Sequence, residues 1–300
     1  MNIHHIGAVD IGSNAIRLLI CQVIEDGETT HFRKQSLIRV PLRLGKDVFL
    51  TGVVSEKNVE HLVDACVAFA HLLRAYQVSS YRACATSAMR EATNAPAILK
   101  KIRSDSGLEV EVISGEEEAS IIYSTHIERL LDADRPSLYV DIGGGSTEIT
   151  VFQGRDVKAS TSFNIGTVRM LEGQVDKAMM GYIKTWLQKN CAGMKGIQTI
   201  GSGGTINKLS KLVPNKKKDT TFYSYGQLKN VYAFLKALTF EERIVKAGLN
   251  ADRADVILPA AQIMLTIMKW AGSKSIMIPK FGLADGMVRS LYEAQVQAEK

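Results

Sequence analysis

Two segments of the chain repeat one supersecondary unit. Residues 4–23, HHIGAVDIGSNAIRLLICQV, read as an apolar strand, an Asp-Ile-Gly turn with small residues, and a second apolar strand. Residues 137–152, SLYVDIGGGSTEITVF, repeat that order, and Asp141 lies 131 residues after Asp10. Two copies of one unit within 300 residues predict two domains of similar plan, since a single core seldom grows beyond ~250 residues.

The periodicity around each copy changes in the same way. After the first, the sequence predicts a β-rich stretch over 29–40 and a helix over 55–76 opened by a Ser-x-x-Asn cap. A short strand over 81–85 follows, then helices on either side of Asn94-Ala95-Pro96, a strand over 110–113 and a helix starting at Ser114. After the second copy come a strand over 157–163, a helix over 174–189, a strand over 197–200 and a helix over 206–212. A mostly helical remainder includes a buried helix within 256–268, a last strand over 275–278 and a final helix from Ala284. Strands alternating with helices predict an α/β fold with a mixed sheet in each half. The expected domains are 1–127 and 128–300, with the last helix, about 284–298, able to pack back on the first.

Composition narrows the class further. At 46% hydrophobic and 23% charged residues the chain reads as a folded globular protein rather than a disordered one. Its start has no basic n-region, and its longest uncharged run, 256–268, is too short to cross ~30 Å of hydrocarbon. The four cysteines (Cys21, Cys66, Cys84, Cys191) form no CxxC pair, so reduced thiols in the cytoplasm are expected, without zinc or a disulfide framework. The six histidines show no ligand spacing. A net charge of +6 favours polyanionic partners, and neither a membrane nor nucleic acid is expected among them. Lys208, Lys211, Lys216, Lys217 and Lys218 form a basic run that is either a solvated loop face or a patch for such a polyanion.

A strand ending in Asp-Ile-Gly and small residues makes a tight turn whose N–H groups converge on an anion, because glycine lets the anion approach closely. Gly12, Ser13 and Asn14 form one such candidate phosphate cradle, and Gly143, Gly144, Gly145, Ser146 and Thr147 the other. A third turn, GSGGT, places Gly203, Gly204 and Thr205 at a helix N-terminus, which is also an anion site. Any one of these could be a mere hairpin turn. Three of them, two with the same Asp-Ile-Gly, point to phosphate.

DIGSN, ATSAMREA, ISGEEEA, DIGGGSTE, GSGGT and GLADGM occur in that order. In this the chain resembles the exopolyphosphatase/guanosine pentaphosphate phosphatase (Ppx/GppA) family of the actin-like ATPase and sugar kinase superfamily. The resemblance implies two actin-like (ribonuclease H-like) domains, mixed sheets flanked by helices, and an active site in the interdomain cleft. It implies Mg²⁺-assisted hydrolysis of the terminal phosphoanhydride of inorganic polyphosphate and/or guanosine pentaphosphate, with a homodimer among its assemblies. An ATP-dependent kinase of the same superfamily and a non-catalytic phosphate or nucleotide sensor are the alternative readings. The stretch between Arg169 and Trp186 is shorter than in the family pattern.

Within that frame the carboxylates divide. Mg²⁺ takes one or two carboxylates plus waters and substrate oxygens. Asp141, ending its strand before the richest glycine turn, is the first candidate ligand; Asp10, its echo, is expected to hold metal-bound water, and Glu148 is either a third ligand or structural. Ser114 and Glu117 have the spacing of a capping box, which accounts for Glu117 without function. Glu118 occupies the position of the family's proposed general base, and the apolar residues after it would raise its pKa. Arg90 is the expected phosphate clamp, since its guanidinium fork matches two phosphate oxygens; a surface ion pair with Glu91 or a neighbouring acid is the bland alternative.

Overall fold

A computed structural model of the chain describes residues 2–27, 29–123, 125, 131–214, 221–279 and 281–298. It has two compact units, Met1–Thr125 with Leu283–Lys300, and His126–Gly282. The expected boundary between residues 127 and 128 lies outside the described residues.

The first unit is built on a hairpin of β1 (Asn2–Ile11) and β2 (Ile16–Asp26), extended by an antiparallel β3 (Thr29–Val40). The chain then makes α1 (Leu44–Thr51) and α2 (Glu56–Ala75) before β4 (Ser80–Ala85), which pairs parallel to β1. Helices α3 (Ser87–Glu91) and α4 (Ala95–Ser106) lead to a short parallel β5 (Glu111–Val112) and then to α5 (Gly115–Tyr123). The sheet order is β3-β2-β1-β4-β5. Ile6, Ala8, Val9 and Ile11 of β1 are all fully buried, so consecutive residues face apolar surroundings on both sides of the sheet. Ser55 caps α2 as predicted, accepting from the Asn58 N–H at 3.4 Å.

The second unit repeats this order. β6 (Pro136–Ile142), β7 (Thr147–Gln153) and β8 (Asp156–Phe163) form an antiparallel meander, followed by α6 (Thr167–Leu171) and α7 (Lys177–Asn190). β9 (Gln198–Ser202) runs parallel to β6 and feeds α8 (Gly204–Lys211). Then come β10 (Phe222–Ser224), α9 (Tyr225–Ala237), α10 (Phe240–Val245), α11 (Ala251–Ala254), α12 (Ile257–Trp270) and β11 (Ser275–Met277). The sheet order is β10-β11-β9-β6-β7-β8. Helix α12 packs against α6, α7, α8, α9 and β6 and is the spine of this core. Its Pro259 stands in the first turn, where no intrahelical N–H is needed. Each unit thus carries a mixed sheet flanked by helices, the actin-like plan.

The last helix, α13 (Leu283–Ala298), packs against β1, β2, β4 and α5 of the first unit. Asp285 pairs with Lys34 at 2.7 Å and the Tyr292 hydroxyl donates to Glu25 at 2.7 Å. The Arg289 guanidinium lies 4.2 Å over the Phe32 ring. Among the described residues no helix is long and apolar enough to cross a membrane.

Candidate active site

The two echoed turns are built alike. In the first, the Gly12 N–H donates to the Ala15 carbonyl at 3.2 Å; in the second, the Gly143 N–H donates to the Ser146 carbonyl at 3.0 Å. A Cβ on either glycine would press on that same carbonyl, at 3.1 Å and 3.2 Å. The second turn is further braced by α6. Thr167 and Val168 donate their N–H groups to the carbonyls of Gly143 (3.0 Å) and Gly144 (2.8 Å), and Arg169 Nε donates to the Gly145 carbonyl at 3.0 Å. Gly166 comes so close to Gly144 and Gly145 that a side chain there would overlap their backbone. The carbonyls of the turn are therefore engaged, while the N–H groups of Gly144 and Gly145 meet no protein acceptor among the described residues. That polarity suits an anion.

The turn side chains divide differently from the prediction. Thr147 is fully buried and its hydroxyl donates to the Ile165 carbonyl at 2.5 Å, so its one hydrogen is directed at the protein rather than at a phosphate. Ser146 is buried within the turn. Ser13 is buried too, its Oγ accepting from the Ala88 N–H of α3 at 3.2 Å, while its carbonyl accepts from Gly45 at 2.8 Å and that of Asn14 from Arg43 at 3.1 Å.

The residues seven positions after the two aspartates separate the units chemically. In the second unit Asp141 and Glu148 are cross-strand partners on β6 and β7, so two carboxylates stand side by side. Ser162 of β8 donates to Glu148 Oε1 at 2.7 Å. Ser202 of β9 flanks Asp141 on the other side, and Gly203 follows it with a φ of 108°. A Cβ on Gly203 would lie 2.6 Å from the Ile142 carbonyl oxygen and 3.2 Å from Asp141 Oδ1. Its absence keeps room at that carboxylate, and it brings the GSGGT turn, with Gly204 and Thr205 opening α8, against the Asp141 strand end.

In the first unit the matching partner is Arg17. Asp10 and Arg17 are opposed on β1 and β2 and form an ion pair, with Asp10 buried. Asp10, expected to hold metal-bound water, thus has an arginine as its cross-strand charge partner. Arg17 was missed by reading the turns alone. Aligning the two echoes on their aspartates finds it, because Arg17 and Glu148 hold the same offset.

Glu118 and Arg90 are brought together. Glu118 is buried on α5, and Arg90 Nη1 lies 3.1 Å from its Oε2 and 2.8 Å from the Ile113 carbonyl. The guanidinium expected to clamp phosphate thus touches the expected base, not Glu91. Ser114 Oγ accepts from the Glu117 N–H at 3.0 Å, as predicted, whereas the Glu117 carboxylate pairs with Arg82 of β4 at 2.7 Å. Arg82 also holds Glu111 at 2.5 Å, keeping that carboxyl below its usual range.

Other predicted features carry less chemistry. Lys208 Nζ donates to the Gly248 carbonyl at 2.8 Å, and burial, with Lys211 and Arg253 nearby, lowers its pKa. Lys216, Lys217 and Lys218 lie outside the described residues. Burial pushes the Cys21 thiol up to about 11 and that of Cys66 to about 12, which leaves them protonated and unreactive at neutral pH. Among the described residues no group of three or more His, Cys, Asp or Glu is placed to hold a metal. A pair such as Asp141 and Glu148 matches the one or two carboxylates that Mg²⁺ takes.

The model of the Ppx/GppA phosphatase family matches residues 23–295. The chain belongs to that family. A bifunctional 3-dehydroquinate synthase/phosphatase of Fusobacterium nucleatum is 26% identical over 90% of this chain and 44% of its own length. Exopolyphosphatase 1 of Mycobacterium tuberculosis is 23% identical over 94% of this chain and 87% of its own. A guanosine-5'-triphosphate,3'-diphosphate pyrophosphatase of Aliivibrio fischeri is 27% identical over 96% of this chain, which spans 60% of that relative. The crystal structure of an Aquifex aeolicus Ppx/GppA family member superposes with a TM-score of 0.75 at 27% identity, covering 98% of this chain and 99% of that one.

Proposed function

We propose that this chain is a phosphatase that hydrolyses terminal phosphoanhydride bonds of inorganic polyphosphate or guanosine pentaphosphate with Mg²⁺. The observation that carries this reading is the Asp141–Glu148 pair beside the Gly143–Gly145 turn, whose N–H groups meet no protein acceptor among the described residues, and the GSGGT turn, in a chain of the Ppx/GppA phosphatase family. Mg²⁺ takes one or two carboxylates, and Gly203 leaves space for it at Asp141. Asp141 and Glu148 would hold Mg²⁺, which when bound neutralises phosphoryl oxygens. The turns of Gly143–Gly145 and Gly203–Thr205 orient the phosphate through N–H groups. Glu118 takes the proton of the attacking water, and Arg90 holds the Glu118 carboxylate in place.

Phosphate release from polyphosphate of graded length, guanosine pentaphosphate and ATP, with Mg²⁺ or with chelator, tests the reading. Release without any acceptor, abolished by chelator and restored by Mg²⁺, is expected. Transfer to an acceptor hydroxyl with no free phosphate would make the chain a kinase instead, and full activity in chelator would remove the metal from the reading.

A further inference from the structure

Helix α5, which carries Glu118, is fixed from two directions. At its N-terminal end Arg82 holds Glu117 and Arg90 holds Glu118, at 2.7 Å and 3.1 Å. Its C-terminal half presents the buried Ile121 and Ile122, and α13 packs there. α13 meets the backbone of α5 at Gly286, its fourth residue. A Cβ at this position would overlap the Ile121 carbonyl oxygen and lie 2.8 Å from the carbonyl carbon and 2.9 Å from Cγ2.

Two facts give this contact meaning. Gly286 does not have a positive φ, and glycine within a helix is destabilising relative to alanine. Backbone conformation therefore does not call for glycine here, but the approach to α5 does. The two nearest atoms in the way are backbone atoms, which no rotamer change can move aside. Any side chain at 286 has to displace one helix. Ile121 follows Glu118 by three residues, about one turn, so a displacement of α5 at Ile121 is felt at the carboxylate.

We propose that Gly286 is a positioning residue for Glu118: by letting α13 close onto the backbone of α5, it sets where the carboxylate stands. This rests on the reading of Glu118 as the base. The GLADGM motif then has a physical task. Its glycine completes a seat whose other side is the Arg82 and Arg90 ion pairs.

A double-mutant cycle on hydrolysis tests it. A misplacement of about 1 Å can lower the rate ~10²-fold, so Gly286→Ala should lower kcat by roughly 10- to 10²-fold with KM nearly unchanged. In the Glu118→Gln background the same substitution should lower kcat by less than about 3-fold, because there is no base left to misplace. Equal losses in both backgrounds, or an unchanged kcat for Gly286→Ala alone, would overturn the proposal. Full activity of Glu118→Gln would overturn the base assignment itself and the proposal with it. Tyr292→Phe is the control: it removes the α13 bond to Glu25 without touching α5 and should lower Tm but not kcat. A kcat loss as large as that of Gly286→Ala would show that any loosening of α13 suffices, against the proposal. If Gly286→Ala does not fold, Ile121→Ala removes Cγ2 from the other side of the contact. It runs through the same cycle: a loss confined to the Glu118 background supports the proposal, and equal losses in both backgrounds overturn it.

Discussion

Asp10 and Asp141 end equivalent strands before equivalent turns, yet one faces an arginine and the other a glutamate. Their substitutions should therefore be felt differently, at Asp10 in stability and at Asp141 in activity. Asp10→Asn leaves the Arg17 guanidinium without its charge partner, a loss of about 1–3 kcal/mol. Asp141→Asn removes the first candidate Mg²⁺ ligand, so under the proposed function Mg²⁺-dependent activity should disappear while the protein stays folded. Thermal melts beside kinetic assays decide this, and full Mg²⁺-dependent activity of Asp141→Asn would remove Asp141 from the metal site. A second contrast lies within the Glu-Glu-Glu run. Glu118→Gln should lower kcat by roughly 10²–10⁴-fold if it is the base. Glu117 is 44% exposed in its pair with Arg82, so Glu117→Gln should change stability by no more than about 1 kcal/mol and leave kcat close to wild type. Comparable kcat losses from the two would show that the run acts through charge alone.

Turns held by neighbouring elements should respond to crowding according to what lies behind each glycine. Gly166→Ala drives a methyl into the Gly144–Gly145 backbone, so it should lower stability by about 1–3 kcal/mol and strip activity together with it. Gly181, within α7, has open space at its Cβ position, and Gly181→Ala should stabilise by about 0.4–1 kcal/mol with kcat unchanged. Urea titration of the two variants separates the cases, and a stabilised Gly166→Ala would mean that α6 does not brace the turn. The sequence revealed the elements whose signals are local. The two hairpins, the capped α2 and the apolar α12 were legible because alternation, caps and runs are properties of short windows. α1 was missed: its N-cap, Arg43, has a φ of 54° and no side-chain cap bond, so it leaves none of the usual start signals. α7 begins at Lys177 rather than at Gln174 because Asp176 caps it, its carboxylate accepting from the Met179 N–H at 2.7 Å. At the candidate site, the glycine turns and Glu118 could be read from motifs. The Arg17 ion pair, the Arg82 anchor and the turn-bracing role of Gly166 depend on strands and helices meeting across the fold, and spacing along the chain does not encode them.

At the scale of the molecule, sequence order and unit membership part company at the last helix. α13 follows the second unit along the chain but completes the first, through β1, β2, β4 and α5. The first unit therefore cannot bury its full core until residues 283–298 are present, whereas the second is contained within one continuous stretch. Deleting α13 should act on the unit more distant in sequence. The loss removes the Asp285–Lys34 and Tyr292–Glu25 bonds and the Arg289 contact with Phe32, and it uncovers apolar residues of β1 and β2. Exposed charge pairs contribute little, so most of the effect comes from buried area, at ~25 cal/mol per Å² of apolar surface. Native-state hydrogen exchange resolves where the loss falls, since protection reports the stability of each cooperative region separately. In a chain ending at residue 282, amides of β1, β2 and β4 should lose protection, while those of β6, β7 and β9 keep theirs. Equal loss in both sheets would mean that the units unfold as one cooperative body. Unchanged protection in β1 would mean that α13 contributes no appreciable stability to the sheet it covers.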